Sequence, residues 1–144
     1  MANPIISHVL AESGNALNSV IDGFPEAAWG NNLTPKSKTA AEIIGHLTWV
    51  YAAYIALLET GKAAWDRYDP SGKSPEELIA DLRETRRYAM EEANGSEMPL
   101  IHRGALEYIV MHEMYHLGQL VLIRVEAQPD WDAESVFSGW VTQL

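Results

Sequence analysis

Apolar residues along this chain return at three- and four-residue intervals in four separate stretches, and no stretch alternates with the period of two that marks a strand. The first stretch follows Asn3-Pro4, a capping asparagine with proline at the first helical position, and carries Ile6, Val9, Leu10, Leu17, Val20 and Ile21 as far as Gly23. This spacing predicts a helix over residues 4–22. Thr39 and Glu42 form a capping box, in which each side chain satisfies the other residue's free backbone N–H, and open a second helix that stops at Gly61. Ser74, Pro75 and Glu77 repeat the signal ahead of a charged, solvated third helix that closes at Asn94-Gly95. From Gly104 to Ala127 the chain is apolar on almost every side before Pro129, so the fourth helix is expected to be the most buried.

Four such helices predict an all-α four-helix bundle. The segment after helix one is too long for a tight hairpin and suits a crossing at the bundle end, which admits an up-down-down-up arrangement. The short C-terminal tail, with Trp131, Val136, Phe137, Trp140 and Val141, is expected to pack back onto the bundle.

Composition narrows the chemistry. At 144 residues and 47% hydrophobic, residues 1–144 are of a size for a single domain with one core. Ten basic against 20 acidic residues give a net charge of -10, which argues against nucleic acid or an anionic membrane as partner. The N-terminus has no basic start followed by a long apolar run, and a cytoplasmic protein is the expectation. With no cysteine, a metal can be held only by histidine and carboxylate.

Three of the five histidines point inward. On an ideal helix His112 and His116 lie about 40° apart on one face of helix four. His46 sits mid-stripe on helix two, with Ile43, Val50 and Leu57 within roughly 60° of it and Tyr54 within roughly 80°. One divalent cation would satisfy all three imidazoles at about 2.0–2.1 Å and leave a coordination position open for water or substrate. His8 falls opposite the apolar stripe of helix one, and His102 lies in the approach to helix four beside Arg103; both are read as surface groups.

"HEMYHLGQL", residues 112–120, spells the H-E-x-x-H of zinc proteases. The longer metzincin continuation fails, because Gln119 and Leu122 stand where glycine and histidine belong. Glu113 projects about 80° from the bisector of the two histidines, whereas Gln119 projects about 40° from it. Gln119, Tyr54 and Glu113 are the candidates for residues supporting the ligands, with pairing to Arg124 an alternative for Glu113.

"LTPKSK" before "TAAEIIGHLTWVYAAYI", followed much later by "HEMYHLGQLVLIR", resembles the DinB-like, or YfiT-like, metal-dependent family over nearly the whole chain. The resemblance implies an up-down-down-up bundle, commonly a homodimer, with zinc or nickel on His46, His112 and His116. It also implies a small-molecule substrate and a low-molecular-weight thiol as co-substrate, since characterised relatives include thiol-dependent transferases and isomerases. Three readings follow: a metal-dependent thiol S-transferase or hydrolase, a non-catalytic metal-binding stress-response bundle, and an H-E-x-x-H metalloprotease. Met111, Met114 and Leu122, with Gly118 between them, form a second apolar flank of helix four, assigned either to internal packing or to a dimer seam.

Overall fold

A computed structural model describes residues 3–143, and these are all-helical, with no strand among them. Helix α1 spans Pro4–Ile21, α2 Ala40–Thr60 and α3 Pro75–Gly95. The fourth rod begins earlier than Gly104: Met98-Pro99 starts α4, Pro99–Ala105, which runs through a π-helical turn, Leu106–Met111, into α5, His112–Ala127. His102 is consequently helical and half-buried, its Nε2 2.8 Å from the Ser96 carbonyl, whereas His8 is exposed as expected. Both predicted capping boxes form, and Asn3 caps α1 through the amides of Ile5 and Ile6.

Cross-helix contacts establish the directions. Ser7 near the start of α1 bonds Asn94 near the end of α3, and Asp22 after α1 pairs with Arg83, so α1 and α3 are antiparallel. Gly45 and Leu78, each in the first turns of its helix, face one another, and further along Tyr51 of α2 and Arg86 of α3 both reach Glu113, so α2 and α3 are parallel. Tyr54 late in α2 bonds the Ile101 carbonyl in α4, while His46 early in α2 meets His112 in α5; α2 opposes the fourth rod. The order is up-down-down-up.

A parallel pair needs a return segment. Residues 61–74 run back beside α2, with Trp65 against Trp49 and Pro70 against Gly45. The longer segment after α1 closes the bundle end instead. A short 3₁₀ turn, Glu26–Ala28, and the stacked rings of Phe24 and Trp29 seal the core there. Arg124 secures the same end. Its guanidinium donates to the carbonyls of Val20 and Asp22 at 2.7 Å and of Gly23 at 3.1 Å, satisfying groups that the last turn of α1 leaves free.

The most buried helix is α2, not the fourth: eleven of its 21 residues are buried, against six of 16 in α5. By length and composition α2 could cross a membrane, yet 56% of that apolar window is buried inside the bundle. The outer flank of α5 leaves Met111, Met114, Tyr115 and Leu122 exposed. A Cβ on Gly118 would meet nothing, so that glycine makes no close approach within the chain. The tail docks only in part. Val136 is buried and Trp131 lies under the Arg124 guanidinium, while Phe137 and Trp140 meet edge to face and Val141 extends into solvent.

Glycine mid-helix weakens α2 by about 1 kcal/mol relative to alanine. At Gly45 a Cβ would lie 2.7 Å from the Pro70 ring, so close approach of the return segment requires the glycine. Gly45→Ala is expected to destabilise the protein by about 1–3 kcal/mol despite better helix propensity, read as a lower urea midpoint at unchanged slope.

Candidate metal centre

His46 closes the second turn of α2, and His112 and His116 occupy the first two turns of α5. Because α2 opposes the fourth rod, all three meet at one level of the bundle. Their ligand atoms fall within 4.8 Å of one another, with the Nε2 atoms of His46 and His112 3.0 Å apart. Nitrogens arranged tetrahedrally around one ion at about 2.0–2.1 Å stand roughly 3.3 Å apart, so modest side-chain adjustment suits the cluster to a divalent cation.

Gln119 orients one imidazole. Its Oε1, which can only accept, lies 2.6 Å from His116 Nδ1, so that nitrogen carries the hydrogen and Nε2 keeps its lone pair. Burial lowers all three imidazole pKa values. For His46 the value falls to about 4, through burial first and then through the neighbouring His116, His112 and Lys38. At neutral pH the donors are therefore unprotonated, the state a metal requires.

The other two candidates do not support the ligands directly. Tyr54 is fully buried, stacks on Tyr108 and donates to the Ile101 carbonyl; burial raises its phenol pKa to about 12. Glu113 turns away from the histidines into the bundle. Its Oε1 accepts from Tyr51 at 2.5 Å and from Arg86 Nε at 2.6 Å, and its Oε2 accepts from Arg86 Nη2 at 3.1 Å. Its partner is thus Arg86 on α3 and not Arg124, which is committed to the end of α1. A carboxylate so engaged is not presented to a water on the histidine side, as a zinc protease would need.

Sequence reading passed over Arg86, Tyr51 and Trp49. Arg86 was hidden in a helix rich in charge, although it shares a row with the buried Leu82, Ala89 and Ala93. Tyr51 carries no local signal that sets it apart from the other aromatic residues of α2. Trp49 stacks on His46, ring centroids 5.4 Å apart, and its Nε1 donates to the Trp65 carbonyl at 2.6 Å, which anchors the return segment beside the histidines. His46 opens on a cleft of about 1070 Å³ between that segment and residues 36–42, where Lys38, Trp49 and Tyr68 are among the lining side chains.

In the metal-free protein the unfolded chain binds more protons than the folded one between pH 6.5 and about 4, because the folded His46 is depressed into that range. Stability is therefore fully present above pH 6.5 and declines as pH falls through the window. His46 should account for about 2 kcal/mol of loss between pH 7 and 5. Urea unfolding of metal-free protein is expected to show this loss, and His46→Gln to show less of it.

No curated protein and no solved structure matches the chain. The model of the DinB superfamily matches residues 10–120, which include most of α1, all of α2 and α3, and both histidines of α5. On that match, with the all-helical bundle and the three-histidine group at its centre, the chain belongs to the DinB superfamily.

Proposed function

We propose that the protein is a metal-dependent enzyme that joins a nucleophile, water or an exogenous small thiol, to a small electrophilic molecule in the cleft beside His46. The reading is carried by three clustered neutral imidazoles, one of which, His46, lines an open cleft. His46, His112 and His116 would hold zinc or nickel, both of which accept imidazole, with a position left open on the cleft side. An ion held there supplies Lewis acidity that lowers the pKa of a coordinated water or thiol. Trp49, packed against Trp65, supplies an aromatic side of the cleft, and Lys38 places positive charge near the histidines. Since the chain has no cysteine, any thiol must come from a co-substrate.

A purely structural ion is less well supported. The buried side chains of the described residues already have hydrogen-bond partners without one, and Glu113 joins α2, α3 and α5 independently of the histidines. Elemental analysis of untagged protein is expected to give about one zinc or nickel per chain, with His46→Ala and His112→Ala each losing it while melting as cooperatively as the parent. The loaded protein should then consume a thiol in the presence of small electrophiles. Stoichiometric metal in both variants would remove the assignment; metal without turnover across a broad thiol and hydrolysis panel would favour a non-catalytic bundle.

The assembly proposed is a homodimer through the outer flank of α5. Met111, Tyr115, Gly118 and Leu122 recur at four-, three- and four-residue intervals as one exposed stripe, with the flat surface of Gly118 at its centre. Sedimentation equilibrium at micromolar concentration is expected to give twice the mass of the chain, and Leu122→Glu to shift it toward monomer by at least tenfold in Kd.

A further inference from the structure

Glu113 is the only carboxylate among the fully buried side chains of the described residues, and it follows His112 directly in the chain. Its surroundings are built for it. Arg86 presents two nitrogens to the two carboxylate oxygens, and its Nη2 also donates to the Leu10 carbonyl at 2.6 Å and to Ser13 Oγ at 3.1 Å. A Cβ on Gly14 would fall 2.6 Å from that guanidinium, so α1 carries a glycine where the arginine must pass. Burial pushes the Tyr51 phenol pKa well above its usual range, and Glu113 adds to the rise, so Tyr51 stays a hydrogen donor. One carboxylate thus ties α5 to α2 and α3, and through Arg86 to α1.

Desolvation makes such a pair a poor source of net stability, and apolar residues of similar volume often do as well or better. Direction is what apolar packing cannot supply. Side-chain polar contacts join α2 and α5 at two places: His46 to His112, and Tyr51 to Glu113. The π-helical turn that ends at Met111 changes the helical phase immediately before both, so the upstream helix does not by itself set the rotation of α5. A rotation of about 20° at a radius of roughly 6 Å moves a ring nitrogen by about 2 Å, a whole metal–nitrogen bond length.

We infer that Arg86, Glu113 and Tyr51 are positioning residues of the metal centre. They lock the rotation of α5 so that His112 and His116 face His46, and the glutamate of H-E-x-x-H is a lock and not a base. The inference rests on the metal-centre reading proposed above. Cobalt(II) titration of the full chain, followed by visible absorption alongside thermal melts, separates the two. The parent is expected to bind one cobalt with strong visible bands. The double variant Arg86→Met/Glu113→Leu should melt within a few degrees of the parent yet bind cobalt at least tenfold more weakly, with altered bands; Tyr51→Phe should move both readouts the same way, less far. Parent-like affinity and spectrum in the folded double variant would overturn the lock and leave the metal centre standing. Should the double variant not fold, parent-like cobalt binding by Tyr51→Phe overturns it equally. A parent that binds no cobalt would overturn both.

Discussion

The bundle is organised around a buried charge. The Glu113 carboxylate, fully enclosed, takes hydrogen bonds from α2 through Tyr51 and from α3 through Arg86, and Arg86 extends the connection to α1. Removing either partner alone would strand an ion in a low-dielectric interior, so the helices that supply them are bound to one arrangement. The rest follows from that arrangement: α5 presents its histidines toward α2, α2 carries the third, and the parallel partner α3 lies close enough to deliver the arginine. Charge in this chain is therefore divided by location. An acidic exterior surrounds one internal ion pair and a cluster of imidazoles kept neutral by burial.

Much of the architecture was legible because it was written in local signals. Thr39 with Glu42 and Ser74 with Glu77 are short-range devices whose partners sit three residues away, and both helix starts appear where they predict. The histidines were legible for a related reason: three polar groups falling on inward stripes are hard to accommodate unless they share a partner. Gln119 followed from the same helical geometry. What escaped was either non-local or irregular. Arg86 pairs with a residue 27 positions away, and no local feature distinguishes it from the exposed Arg83 and Arg87 except its place in the buried row. The π-helical turn breaks the 100° phase on which every face assignment depends, and the start at Pro99 was lost because Met98 offers no side-chain cap. The burial expected of helix four failed because apolar character was taken as inward, while Met111, Tyr115 and Leu122 face out.

The spelling H-E-x-x-H thus encodes two different tasks in adjacent residues. A single step along the helix, about 100°, is enough to send His112 toward the other two histidines and Glu113 toward Arg86 and Tyr51. The histidines are kept neutral by burial, whereas the glutamate is engaged by a guanidinium and a phenol.

The return segment between α2 and α3 carries a final implication. Two parallel neighbours of about 30 Å cannot be joined by a tight turn, so this topology obliges some dozen residues to travel the length of the bundle outside the core. Here that obligatory passage runs beside His46, pinned by Trp49 at one point and by the notch at Gly45 at another. Between those two pins Asp66, Arg67 and Asp69 are exposed and free of the core's packing constraints. A bundle of this connectivity can keep its histidines in place while the residues beside them change, because the stretch most open to change is a segment the fold had to have in any case.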